Sequence, residues 1–586
     1  MRTQPIDRIP PLGFPALMTT IPSPEQSRWS RWANAVWDRV AYHLSPPGLL
    51  VGAIFFALSL TPSLLPRTEI VQGVLSGCCF AVGYGFGNLG HWLWNYLGLK
   101  VPPGPVTRAL GVLAALACII LMLVALWHSN TWQNSVRSVM GLMPVDRSQP
   151  LLIAAMAFPV GAGLLIAGKI LVTLIRIVWR WLTPHLPRRA AFVLATAIVL
   201  LLGSILVNNL FLRMALRAAD NFYQQLDALV SSEAEPPSAW YQTGSDQSLI
   251  DWDTIGRDSR VYVRSGPDAA KIRAVTGQPA IEPLRTYVGL RSAPTAQDRA
   301  NLALAELQRI GAFERSVLVL VMPVGTGWVD RAAIDTLEYL HHGDVASVAV
   351  QYSYLTSVLS LWIEPELGTE TAQALFNTVY GYWTQLPRDS RPRLYLHGLS
   401  LGALASQNST TVYDVLADPF DGALWAGPPF SSSVWSRMTE NRQPGTPAWL
   451  PRFGNSSSVR FMNQSGARGW DGLAWGPMRI LFLQYASDPI VFFSFDADWR
   501  RPDWLDAPRG PDVSPALNWY PVVTFLQLAL DAALAQTAPV GYGHVYAPAH
   551  YIDAWTAVTQ PPDWTPASLE ALKRAINPQD YAVIRK

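Results

Sequence analysis

Cysteine is scarce in this chain, and so is charge. Only three cysteines, Cys78, Cys79 and Cys118, occur in 586 residues. All three fall in apolar stretches, so the C-terminal part has no disulfide in any compartment. Zinc spacing of the CxxC kind is absent. Charged residues make up 15%, against ~25% in an ordinary soluble protein. The net charge of +2 does not call for nucleic acid as a partner. GxGxxG is missing, and no glycine-rich loop leads into the Lys-Ser/Thr of a P-loop. No motif supports a metal or an organic cofactor, and no internal repeat is present.

What is present is unevenly spread. The apolar excess lies before residue 215 and most charged residues lie after it, which implies two parts with different solvents. A membrane span needs ~20 mostly apolar residues. Five segments qualify: Leu49–Leu65, Val71–Leu97, Leu110–Trp127, Leu151–Trp181 and Ala190–Leu212. Lys169, inside the fourth, lies towards its basic end and reads as a snorkelling side chain. Arg2, Arg8, Arg28, Arg31 and Arg39 share one face with Lys100, Arg108, Arg176, Arg180, Arg188 and Arg189. The other face has Arg67, Arg137 and Arg147. The more basic face is expected to be cytoplasmic, which puts the N-terminus inside and the C-terminal domain outside. The expected divisions are a cytoplasmic tail (1–46), a helical bundle (47–215), a connecting helix and linker (216–258) and a catalytic domain (259–586).

From Arg260 onward, short apolar runs alternate with amphipathic stretches, the pattern of a mostly parallel sheet with crossover helices. Candidate strands are Arg285–Leu290, Ser316–Val324, Ser347–Tyr354, Arg393–His397, Ala423–Gly427 and Ile480–Ala486. Candidate helices are Ala296–Ile310, Arg331–His341, Glu370–Leu386 and Leu401–Leu416. Segments 428–478 and 499–539 read as insertions.

One strand-to-helix join carries chemistry. RLYLHGLSLGALASQ places Gly398-Leu399-Ser400-Leu401-Gly402 between strand and helix, the context in which G-x-S-x-G makes a nucleophile elbow. Ser400 is then the nucleophile, and the amide of Leu401 faces the developing oxyanion. A serine needs a base, and the base an orienting acid, in the chain order Ser, Asp or Glu, His. Asp488 follows the strand ILFLQYA and fits the acid. Asp496, Asp498 and Asp503 lie further from the strand end. Two histidines follow Asp488. His544, flanked by Gly541 and Gly543 in a loop, is preferred as base, and His550 is the alternative. The second oxyanion donor is expected from Thr326 or Gly327, in the loop after Ser316–Val324. His397 reads as a packed strand residue. His341 and His342 read as helix-end residues, where a cation is favourable.

GTGWVD (325–330), VAVQYSYL (348–355), GLSLG (398–402), LQYASDPIV (483–491), RRPDWLDAPRGPDVSPALNWYPVVTF (500–525) and GYGHVY (541–546) together resemble a bacterial family of membrane-bound α/β-hydrolases. The resemblance covers nearly the whole chain, and the RPDW…RGPDVSP block is its most specific part. It implies a transmembrane bundle followed by an α/β-hydrolase domain, an extracytoplasmic catalytic side, and Ser400, Asp488 and His544 as the triad. Two departures stand out. Similar proteins carry Glu at the position of Leu399, and Gly-His-Gly-His where this chain has Gly541-Tyr542-Gly543-His544.

The expected activity is acyl-enzyme chemistry on a lipid or acylated envelope component, as esterase, lipase or acyltransferase, with the bilayer and that substrate as partners. Action on envelope glycans and a non-catalytic scaffold role are the alternatives. Trp435, Trp449, Trp470 and Trp475 either line an acyl site or pack the first insertion's own core. The oligomeric state is not legible.

Overall fold

The computed structural model describes residues 45–99, 104–146, 149–206, 235–354, 365–466, 470 and 473–581. The expected cytoplasmic tail and the expected connecting helix Arg213–Val230 lie outside these residues, apart from the tail's last two. The chain divides into two compact units, described separately below.

The N-terminal region forms helices α1 (Pro46–Ser59), α2 (Glu69–Tyr96), α3 (Gly104–Val139), α4 (Pro150–Leu182) and α5 (Arg188–Ile205). The last four are long and apolar enough to cross a membrane, and α1 is not. The expected first span, Leu49–Leu65, is therefore corrected. Its helix stops at Ser59, ahead of the prolines of Thr61-Pro62-Ser63-Leu64-Leu65-Pro66, which cannot continue a helix. The apolar run goes on because Leu60, Leu64 and Leu65 are buried, not because they are helical. Helices α1 and α2 pack through small residues. A Cβ on Gly83 would lie 2.7 Å from the Val51 carbonyl oxygen, and one on Gly87 2.4 Å from that of Pro47. Such close approach is the usual basis of helix pairing in lipid. Ser59 donates to Ser76 (2.8 Å), and the Gln72 amide donates to Ser76 and to the Ser59 carbonyl (3.0 Å each).

The second unit holds the α/β domain. Residues 235–250, expected as linker, form turns that pack onto this domain. Thr243 donates to the Arg285 carbonyl and Ser248 to Glu306, and Ile250 is buried. Helices α6 (Arg257–Arg264) and α7 (Ala269–Thr276) follow. The core elements are then β1 (Leu284–Val288), α8 (Ala296–Arg309), β2 (Val317–Met322), α9 (Arg331–Leu340), β3 (Val345–Val350), α10 (Pro365–Trp383), β4 (Arg393–Leu399), α11 (Leu401–Gln407), α12 (Val412–Val415) and β5 (Gly422–Ala426). They continue as α13 (Ser433–Glu440), β6 (Val459–Met462), β7 (Arg479–Leu483), α14 (Pro489–Phe492), α15 (Val523–Ala533), α16 (Pro548–Thr559) and α17 (Pro566–Ala575).

Seven strands form one sheet in the order β1-β3-β2-β4-β5-β7-β6, and every described pairing is parallel. Parallel strands are buried on both faces and so read as continuous apolar runs; Val317–Met322 is buried at every position. Strand β6 lies inside the segment expected to be an insertion, and it closes the sheet edge beside β7. Trp435 and Trp449 of that segment are buried. Their indole N–H groups donate to Gln484 (2.7 Å) and to the Pro508 carbonyl (2.8 Å). Arg460 lies over Trp475 at 3.9 Å and Trp470 at 5.2 Å. Trp435 and Trp449 thus pack into the main core of the α/β domain, and neither the expected acyl site nor a separate core of the segment describes them.

Candidate active site

Strand β4 ends at Leu399 and α11 begins at Leu401. Ser400 is alone between them, at φ 57° and ψ −122°, a conformation that costs energy for a residue with a Cβ. The flanking glycines make it possible. A Cβ on Gly398 would fall 2.3 Å from Gly402 carbonyl carbon and oxygen, and one on Gly402 2.1 Å from the Met322 oxygen. The Ser400 N–H donates to Ala426 at 3.0 Å, tying the turn to the carboxyl end of β5. Leu401 opens α11, so its N–H belongs to the first-turn amides that have no partner within the helix.

Asp488 follows β7 and caps α14. Its Oδ1 accepts the Ile490 N–H at 2.9 Å. Its Oδ2 accepts from His544 Nδ1 and from the Tyr546 hydroxyl, both at 2.7 Å. The carboxylate is fully buried and held by three donors. Burial first, and the neighbouring Asp488 second, push the Tyr546 phenol well above its ordinary value, so it remains a donor.

With Nδ1 engaged, His544 presents Nε2. That atom is buried and has no hydrogen-bond partner among the described residues, Ser400 included. The imidazole lies at the end of β5, where a Cβ on Gly427 would come within 2.7 Å of His544 Cε1. Gly427 follows Ala426, whose carbonyl holds the Ser400 amide. Ser400 and His544 therefore meet adjacent residues at the end of β5, Ala426 and Gly427.

His550, the alternative base, lies elsewhere. Its Nδ1 pairs with the Tyr485 hydroxyl at 2.6 Å, and burial, followed by Lys573, lowers its pKa to about 4. It makes no bond to Asp488. His397 is a strand residue, with Nδ1 donating to the Leu424 carbonyl at 2.7 Å and a pKa lowered to about 4 by burial. His341 corrects the expectation of a helix-end cation. Burial holds its pKa at about 3, and its Nε2 pairs with Thr559 at 2.8 Å.

The loop after β2 separates the two expected oxyanion donors. The Gly327 N–H donates to Val324 at 2.8 Å, closing a turn, and the Gly327 carbonyl accepts the Tyr287 hydroxyl at 2.6 Å. Gly327 is thereby corrected as a donor: its amide is already engaged. The Thr326 N–H has no acceptor among the described residues. The same loop ends at Asp330, which caps α9 and accepts the Tyr551 hydroxyl at 2.8 Å. Burial raises its pKa to about 6, opposed by several neighbours that include His544.

Sequence reasoning missed the groups that hold the His544 loop. Asp512, from RGPDVSP, accepts the Ser487 N–H at 3.0 Å and its hydroxyl at 2.6 Å. The Ser487 hydroxyl in turn accepts the Gly543 N–H at 2.9 Å. The adjacency of Ser487 to Asp488 was the one signal available. Of the other carboxylates considered, Asp503 pairs with Arg442 at 2.8 Å and Asp496 binds Ser494. Among the described residues no group of three or more His, Cys, Asp or Glu side chains is placed to hold a metal.

Two family models match the chain. One, described as an alpha/beta-hydrolase family, covers residues 284–572. The other, described as the N-terminus of an alpha/beta-hydrolase family, covers residues 60–267. No curated protein and no solved structure matches.

Proposed function

The chain belongs to the α/β-hydrolase family, and from that premise we propose that it is a membrane-embedded serine hydrolase whose triad is Ser400, His544 and Asp488. The observation that carries the reading is the His544 Nδ1 to Asp488 Oδ2 hydrogen bond of 2.7 Å, made by a ring whose other nitrogen is buried and unengaged. Catalytic contacts are often long before substrate binds, so the missing Ser400–His544 bond is compatible with it.

In the proposed reaction the Ser400 Oγ attacks an ester carbonyl carbon while His544 Nε2 takes the hydroxyl proton. The Asp488 carboxylate stabilises the resulting imidazolium and keeps the ring oriented. The carbonyl π electrons move onto oxygen, where the amides of Leu401 and Thr326 receive the charge. Collapse breaks the bond to the alcohol, which leaves with the proton from His544, and Ser400 is left acylated. Water or a second hydroxyl then attacks the acyl group, giving hydrolysis or transfer.

Attachment to several apolar helices supports a lipid or acylated envelope substrate, since one span is enough for anchoring alone. The charge asymmetry of the loops supports an extracytoplasmic catalytic side.

The test is fluorophosphonate labelling of the purified full-length chain, with lipid and glycan fractions offered in parallel. Wild type should label, and Ser400→Ala should lose both labelling and ester turnover by at least ~10³-fold. Labelling that persists in Ser400→Ala, or a folded wild type that never labels, overturns the reading. Release of sugar instead of acyl groups selects the glycan alternative.

A further inference from the structure

The second unit contains more than the α/β domain. Besides the chain from Ile170 onward, with the end of α4 and all of α5, it takes in Pro62–Arg67, from the connection between α1 and α2, and Trp132–Val145, the end of α3 with the residues beyond it. Both segments meet the stretch that carries His544.

Their anchor is Asp531, near the end of α15. Arg67 Nε donates to its Oδ1 at 3.0 Å and Arg67 Nη2 lies 2.9 Å from the same atom. The Leu64 and Leu65 amides donate to its Oδ2 at 3.0 and 3.4 Å. Both side chains of the ion pair are fully buried. The Arg67 amide donates to Gln133 at 2.9 Å, which joins the two segments.

From Asp531 the chain runs directly to the base. Ala535, one turn later, accepts the His544 N–H at 3.4 Å. Leu65 lies against the loop, where a Cβ on Gly543 would come within 3.0 Å of its Cδ2. Leu65, Val136, Met140, Ala538 and Val545 form one buried apolar cluster. The RGPDVSP block touches the same assembly twice. Asp512 reaches Gly543 through Ser487, as described, and Ser514 pairs with Ser135 at 2.8 Å.

We propose that Arg67 is a positioning residue for the base: through Asp531 and Leu65 it sets the loop that presents His544, so the hydrolase site is completed by the connection between the first two apolar helices. The proposal rests on His544 being the base. It gives a use to a buried ion pair, which alone adds little net stability, because desolvation offsets most of the attraction. What such a pair does supply is a fixed register between two segments far apart in sequence.

The experiment uses the full-length chain in detergent. Arg67→Gln is compared with wild type by fluorophosphonate labelling rate, by kcat and KM on a short soluble ester, and by hydrogen exchange of the peptide spanning residues 535–547. Thermal melting reports whether the variant is folded. The expected result is a 10- to 100-fold fall in labelling rate and kcat, KM within about threefold, and faster exchange in that peptide. Asp531→Asn should do the same, and the double variant should be no worse than either single one. If Arg67→Gln does not fold, Leu65→Ala keeps the ion pair and should still speed exchange and slow labelling. A folded variant with wild-type labelling and wild-type exchange overturns the proposal. Wild type that never labels, with the exchange difference present, overturns the serine-hydrolase reading but supports the anchoring role of Arg67.

Discussion

The proposed triad of Ser400, Asp488 and His544 could be put forward from the sequence because each residue sits where chain order and strand ends put it. The strained turn at Ser400 needs glycine on both sides, and that need leaves a pattern. The groups around the proposed triad leave only a fainter one, their place in the LQYASDPIV, RGPDVSP and GYGHVY stretches. Ser487, Asp512 and Tyr546 are a hydroxyl, a loop aspartate and a phenol, residue types found in any turn, and only the folded chain brings them together. The buried histidines divide on this point: His397 reads as a packed strand residue in the sequence, whereas nothing beside His341 tells that burial will keep it neutral. That neutrality has a consequence. A group whose folded pKa lies at about 4, against ~6.5 when unfolded, lets the unfolded chain bind a proton that the folded chain refuses. Stability from neutral His397 is therefore complete above pH 6.5 and is lost as pH falls towards 4, by about 3 kcal/mol over the whole interval. Asp330, raised to about 6, acts in the opposite sense, because its folded form binds a proton that the unfolded form has released. The comparison must therefore be differential. His397→Asn should be less stable than wild type at pH 7.5, and the gap in melting temperature should narrow steadily towards pH 4.5. A gap that stays constant across that range would show that His397 is not buried as a neutral ring.

Among the elements, β1, β2, β3, β4, β5 and β7 were readable as short apolar runs within a few residues of their ends. Strand β6 was not. VRFM is four residues long and has Arg460 at its centre, in a stretch rich in serine, glycine and proline. The guanidinium is tolerated because it stacks on Trp475 and Trp470 and donates to the Ser456 and Leu473 carbonyls. The reverse error occurred at α1, where an apolar run was longer than its helix. Hydrophobicity reports burial, and backbone form depends on prolines that a window average dilutes. The β4–α11 elbow is under tight steric control. A Cβ at residue 402 would stand 2.1 Å from the Met322 oxygen, inside any real contact, and the atom it meets is backbone. Gly402→Ala should therefore push β2 and α11 apart, with a loss of several kcal/mol. We expect it to give little folded protein, while the exposed Gly445→Ala, with open space around its Cβ position, melts within a few degrees of wild type despite its left-handed φ. Gly402→Ala with normal melting and labelling would show that the elbow is looser than its geometry implies.

For the whole molecule, the side of the membrane is decided by counting from the catalytic end. The helix that departs from expectation is α1, the first, so its status affects only the side on which the N-terminal tail lies. Between the segment 140–149 and the catalytic domain the chain passes through α4 and α5, which returns it to the starting face if both cross. Among the described residues, α5 is the one helix between the α/β domain and the turn 183–187, which has Arg176, Arg180, Arg188 and Arg189 around it. If α5 crosses, the turn should lie on the opposite face, and the prediction from its basic character is that this face is the cytoplasmic one. The scarcity of cysteine makes this testable. With Cys78, Cys79 and Cys118 replaced by alanine, single cysteines can be placed at Met143, at Tyr413 and at His185, all exposed positions. In sealed vesicles that keep the cell's own sidedness, an impermeant maleimide should label Met143→Cys and Tyr413→Cys to the same extent. His185→Cys should label only after the membrane is opened. Labelling of His185→Cys together with Tyr413→Cys would mean that α5 does not cross. Protection of Met143→Cys while Tyr413→Cys reacts would separate the α3–α4 connection from the catalytic face, and with it the physical basis for Trp132–Val145 packing beside the base.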